Sequence, residues 1–192
     1  MAMADLVAEF EVFRRHAMRC RKLFDTHSKL FHTDEAATDL LKRLAHNFFY
    51  DLSDWLADYH VILATRLTDP TKTSGKANLT SEYLVGALRE KNLLTSEIEA
   101  LSEQLRNYRE KIVDWRNKKI AHLDLSESVE AKLGESHAYD DVKSFHAALD
   151  KFCRLVGDQF GASHLSTIRI AEGTKGVTGF LLKIKRCFKD TP

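Results

Sequence analysis

One short stretch combines the residue types that proton transfer at a phosphate needs: Trp115-Arg116-Asn117-Lys118-Lys119-Ile120-Ala121-His122. Histidine titrates near neutrality, so His122 can take up or release a proton in that range. Arginine stays charged and offers paired N–H donors, so Arg116 can hold phosphate oxygens as negative charge builds on them. Asn117 can orient the same group or finish a helix end, and Lys118 and Lys119 add positive charge for a polyanion. The same residues admit plainer roles. His122 suits a helix C-terminus, where the macrodipole favours a cation. Arg116 suits an ion pair with Asp114 or Asp124, and the two lysines suit a solvated helix end.

A second group, Asp51, Asp54 and Asp58, is spaced by three and four and so shares one face of a helix. A carboxylate row on a bundle helix raises the prospect of a di-metal centre, which would also need Glu-x-x-His pairs. None of the nine histidines has a glutamate three residues before it, so the row reads as a solvated or ion-paired face. No cofactor or metal is expected. The other histidines show no recurrent ligand spacing. Asp69 reads as a helix terminator, and the role of Arg66 is left open.

These residues must be carried by helices. Leu6, Phe10, Phe13, Ala17 and Phe24 recur at helical spacing and predict a first helix over about residues 4–31. Thr33 or Asp34 then provides an N-cap. A second stripe, Leu41, Leu44, Phe48, Leu52, Trp55, Tyr59 and Ile62 or Leu63, predicts a long helix reaching Leu67, stopped by Thr68-Asp69-Pro70. Residues 70–79 read as a loop, and Thr80 or Ser81 as the cap of a short helix to about Lys91.

Leu94, Ile98, Leu101, Leu105, Tyr108, Ile112 and Trp115 alternate spacings of four and three without a slip, the packing edge of a bundle helix. Two further steps along that seam reach Lys119 and His122, where ionisable residues replace apolar ones. A further helix is expected over about 138–160. After a connector with short extended pieces at Thr167 to Ile170, Val177, Phe180, Leu181, Ile184 and Phe188 make an apolar face interleaved with Lys183, Lys185, Arg186 and Lys189. That basic face reads as the solvated side of a bundle helix. The expectation is an all-α bundle over residues 1–162, with a basic amphipathic appendage, 163–192, packed on the same domain.

Helical geometry constrains the site. Six steps leave Arg116 and His122 roughly 120° apart around an ideal helix, with about 9 Å of rise between them. Either the helix ends or distorts near His122, or a second subunit completes the site.

The Arg116-to-His122 segment, with Asn117 after the arginine and the Ala121-His122 ending, resembles the Rx4–6H signature of the HEPN superfamily. Arg66-Leu67-Thr68-Asp69-Pro70 and then Asn78-Leu79-Thr80 resemble its abortive-infection AbiU-type branch, over roughly residues 35–160. The resemblance implies a helical bundle and a metal-independent endoribonuclease of a toxin–antitoxin or abortive-infection system. Arg116, His122 and Asn117 would be its catalytic residues, and Lys118 and Lys119 would contact RNA. It further implies a homodimer whose two protomers line one cleft, with an antitoxin as a further partner. RNA carries its own nucleophile in the 2′-OH, so such cleavage needs proton transfer and charge relief on the phosphate. Some members only bind RNA, a nucleotide or a protein partner, and that is the alternative. In one toxin branch a tyrosine stands two residues after the histidine. Asp124 takes that place here, so no role for such a tyrosine is expected.

The bulk composition narrows the field. Lys and Arg number 29 against 28 Asp and Glu, a formal charge of +1, so contact with nucleic acid must be local. A hydrophobic fraction of 44% and only two prolines suit a helical core. Cys20, Cys153 and Cys187 are odd in number and far apart, as expected of thiols in a reducing cytoplasm. No apolar run reaches the roughly 18 residues that span a bilayer, and no signal-peptide pattern opens the chain. The expectation is a cytoplasmic protein without a membrane partner.

Overall fold

A computed structural model describes residues 2–32, 34–117, 138–161 and 167–189, with the backbone alone for 167–175 and 189. The chain is all-α apart from one two-residue β pair among the described residues. Its helices are α1 (Met3–Phe31), α2 (Glu35–Thr68), α3 (Ser81–Glu90), α4 (Ser96–Trp115), α5 (Tyr139–Gln159) and α6 (Thr167–Lys189). They group into two compact units, Met1–Ala17 with Val61–Ser163 and Met18–His60 with His164–Pro192.

Local chemistry sets most of the boundaries. Asp34 Oδ1 accepts the Ala37 N–H at 3.1 Å and so caps α2. Thr80 Oγ1 accepts from Tyr83 N and Thr95 Oγ1 from Ile98 N, each at 3.3 Å, which starts α3 and α4. After α3, Asn92 takes a left-handed conformation at φ 57°. The Leu93 N–H then bonds back to Leu88 O at 2.9 Å and closes the helix end. Gly161, at φ 67°, is likewise left-handed after α5.

The 70–79 segment, expected as loop, contains the β pair: Lys72–Thr73 runs antiparallel to Lys76–Ala77. Ser74 and Gly75 both have positive φ, 50° and 79°, the geometry a two-residue hairpin turn needs. The extended pieces expected at Thr167 to Ile170 are helical instead, as the first turn of α6. An isolated strand would leave its backbone groups unpaired, whereas a helix pairs them internally.

In the first unit, the α4 seam is buried as expected at Ile98, Leu101, Leu105, Tyr108 and Ile112. Val142, Phe145, Leu149, Phe152 and Val156 of α5 are buried too. Tyr108 stacks on Phe145 with ring centroids 4.5 Å apart, and Phe13 meets Phe152 edge-on at 5.9 Å. The Tyr83 hydroxyl donates to Glu9 Oε2 at 2.9 Å, tying α3 to α1.

In the second unit, Leu30, Leu41, Phe49 and Ile184 form a buried cluster, with Leu52, Leu56, Val177, Leu181 and Phe188 packed against it. Of the expected α6 face, Phe180 is instead 40% exposed. Lys183 and Arg186 are exposed, as a solvated basic face requires.

The stripe expected along α2 needs correction. Leu44, Phe48 and Trp55 are exposed, at 47%, 54% and 60%. The inward set is Phe49, Leu52, Leu56, His60, Leu63 and Leu67, buried or half-buried: Leu52, Leu63 and Leu67 lie where expected, while Phe49, Leu56 and His60 each stand one residue beyond the expected position. The helix is interrupted at Ala45, whose φ of −162° and ψ of 77° are not helical. A helical register counted from Leu41 cannot be carried through it, and a one-residue shift turns the face by about 100°.

Candidate active site

The site is built where α2 stops and α4 ends. Thr65 and Thr68 lie buried on the last turns of α2, and their hydroxyls donate back to Val61 O at 2.9 Å and Ala64 O at 2.8 Å. Pro70 cannot continue the helix, which leaves Asp69 just beyond its end. The hairpin after it is latched by Asn78, whose side-chain amide donates to Pro70 O at 2.8 Å and Thr73 Oγ1 at 2.7 Å.

Asp69 points at α4. Its Oδ2 accepts from Arg116 Nη2 at 3.0 Å, and its Oδ1 accepts from the same nitrogen at 3.2 Å. Arg109 Nε donates to Oδ1 at 3.3 Å. Arg109 lies seven residues, two turns, before Arg116, so both share one face of α4. The Asp69 and Arg109 side chains are 18% and 17% exposed, against 33% for Arg116. One carboxylate therefore gathers two guanidiniums, with the outer one facing solvent. Arg109 also donates through Nη1 to the exposed Glu110, at 3.0 Å.

Arg116 keeps helical backbone angles, φ −57° and ψ −47°, and its N–H bonds to Ile112 O. At Arg116 and Asn117 the chain winds more widely, in a π-type turn. Arg116 Nη1 donates to Asn117 Oδ1 at 2.8 Å, so the two residues named from the sequence do meet. Two of the expectations for this corner change. Asp69 closes α2 and also binds α4, because the end of α2 brings its carboxylate within reach of the arginines. Arg116 pairs with Asp69, a carboxylate not considered for it from the sequence, while Asp124 lies outside the described residues. His122, Lys118 and Lys119 lie outside them too. Arg66 is exposed on the last turn of α2.

Neither Arg109 nor the pairing role of Asp69 stands out in the sequence. A faint signal existed: two arginines seven apart, each directly after a residue of the apolar seam, and an aspartate at the helix stop. Nothing in the sequence says that those features meet. Of the aspartate row, Asp51 and Asp54 are exposed and Asp58 is half-buried. At Cys153, burial first and Asp150 second push the thiol up to about 12, so it stays protonated near neutral pH.

The family model HEPN_AbiU2, described as AbiU2, matches residues 3–172. This chain belongs to the AbiU2 family of the HEPN superfamily. No curated protein and no solved structure gives a significant match. The AbiU2 match spans Asp69, Arg109, Arg116 and Asn117, together with the His122 segment. Membership in an abortive-infection family and an all-α bundle are thus established together. No helix among the described residues is long and apolar enough to cross a membrane.

Proposed function

We propose that this AbiU2 protein is a metal-independent endoribonuclease acting in phage defence by abortive infection or as the toxin of a toxin–antitoxin pair. The observation that carries the reading is Arg116, half-exposed at the end of α4 and steered by Asp69 and Asn117, six residues before His122. In this reading the RNA 2′-OH attacks the adjacent phosphorus. The new 2′-O–P bond forms as the P–O5′ bond breaks, giving a 2′,3′-cyclic phosphate and a free 5′-OH. His122 takes the 2′-OH proton or supplies the proton that the 5′ oxygen needs. Arg116 offsets charge on the phosphate oxygens. Lys118 and Lys119 hold the neighbouring backbone.

One histidine cannot serve both ends of the reaction at once. A second copy of the chain, meeting the first around the Trp115 to His122 helix end, would supply the other. An antitoxin that binds the protein would hold this activity in check.

A second reading is favoured by one specific observation: Arg116 is already ion-paired to Asp69. An arginine so engaged suits a module that holds RNA or a nucleotide without cutting it. Incubation of labelled single-stranded RNA in excess EDTA separates the two. Wild type should cleave and leave cyclic phosphate ends. Arg116→Ala should lose on the order of 10²–10³ in rate, and His122→Ala on the order of 10²–10⁴. Equal cleavage by all three would remove these residues from the chemistry. Binding without cleavage across a panel of RNAs would select the second reading.

A further inference from the structure

We infer that Asp69 is a positioning residue for Arg116, with Arg109 bracing the carboxylate from behind. The inference rests on the nuclease reading above. An arginine on a helix end has a long, mobile stem, and mobility is costly where a phosphate must be met in one geometry. Here that freedom is removed from two sides. Nη2 is held by both Asp69 oxygens, at 3.0 and 3.2 Å, and Nη1 by Asn117 Oδ1 at 2.8 Å.

The side chain nevertheless remains 33% exposed, twice as open as either Asp69 or Arg109. Its outer edge is therefore the part left to a ligand. Asp69 is itself fixed. It follows a helix end, precedes a proline, adjoins a hairpin latched by Asn78, and accepts a further hydrogen bond from Arg109 at 3.3 Å. Arg116, the candidate phosphate-binding arginine, is thus oriented through a residue 47 positions away.

The charge on Asp69 makes the idea testable, because it acts in two opposite directions. As an anchor it aligns Arg116 and raises kcat. As a negative charge beside a polyanion site it opposes RNA binding. Asp69→Asn keeps the shape and removes the charge. It should lower kcat about 10- to 100-fold, the range typical when a supporting partner is lost, while KM stays level or falls. Asp69→Glu should recover part of kcat. Arg109→Lys, which keeps the charge but loses the Nε donor, should move kcat the same way by less.

The measurement is steady-state cleavage of a fluorogenic RNA by the full chain, with circular dichroism and thermal melting of every variant. A rise in kcat in Asp69→Asn would mean that the pair is a lock, and would overturn the proposal. So would unchanged kinetics, or a fall in kcat with a rise in KM and a lost fold, which mark a purely structural brace. If wild type cleaves and Arg116→Ala does not, failure at Asp69 sinks this proposal alone. If wild type is silent on every RNA, the nuclease reading falls and takes this inference with it.

Discussion

Asp34 stands at the first turn of α2 and does two things there. Its carboxylate caps the helix through the Ala37 N–H and pairs with Lys185 of α6. The Lys185 hydrogen bond first, and the Ala37 N–H second, hold its pKa below the ordinary aspartate value of 3.8. A carboxyl whose folded pKa is depressed releases its proton more readily when folded. It adds stability above its unfolded pKa and loses it as pH falls through the folded one. Asp34→Asn should therefore lower the melting temperature at pH 7. The gap from wild type should close as the pH is taken below about 3. A gap that stayed constant across that range would assign the effect to shape, not charge. At the same scale, the family signature names Arg116 and His122, but the partner that orients the arginine had to be seen. Asp69 looked like punctuation because aspartate before proline so often is.

At the scale of the element, α2 tests how far a periodic pattern can be trusted. Phe48 and Phe49 are adjacent, equally apolar and in edge-on contact, with centroids 5.1 Å apart. Phe49 is 7% exposed and Phe48 is 54% exposed. Truncating a buried phenylalanine removes its transfer free energy and leaves a cavity, so Phe49→Ala should cost about 3–5 kcal/mol. Phe48→Ala and Trp55→Ser should each cost under about 1 kcal/mol, as surface changes do. Urea titration of the three variants checks the contrast. Equal losses at Phe48 and Phe49 would restore the uninterrupted stripe. The start of α4 offers a simpler case: Thr95→Ala removes the acceptor for Ile98 N and should cost about 1 kcal/mol in the same titration. Caps and stops were legible because they are local chemistry, written within four residues of where they act. The face of α2 was legible only in part: Leu41, Leu52 and Leu63 point inward as their spacing suggests, but the helix is interrupted at Ala45 and nothing in that residue's type announces it.

At the scale of the whole molecule, charge is almost balanced, so RNA cannot be held by a general positive field. Binding should rest on a few phosphates. The slope of log K against log salt should then be shallow, near 0.7 for each phosphate contacted on a single strand. A slope reflecting many contacts would point to a wider surface than the Arg116 corner. The composite-site reading makes a separate demand: light scattering should give twice the chain mass at the concentrations where cleavage is measured. Full nuclease activity from a monomer would remove the second copy from the mechanism.

The all-α character of this chain, the points where most of its helices begin and stop, and its superfamily signature can be read from the residues alone. Helical hydrogen bonds, caps and proline stops act over a few residues, so their instructions are contiguous in the text. The buried seams of α4 and α5 were equally readable, because each helix runs uninterrupted and its apolar residues keep one period. That Asp69 meets Arg116 and Arg109, and that Phe49 rather than Phe48 faces inward, is visible only in the folded chain. The pairing depends on where separate helices end in space. An ion pair across 47 residues leaves no periodicity behind it. It exists because folding brings the end of α2 to the end of α4, where a carboxylate and two guanidiniums come within hydrogen-bond reach.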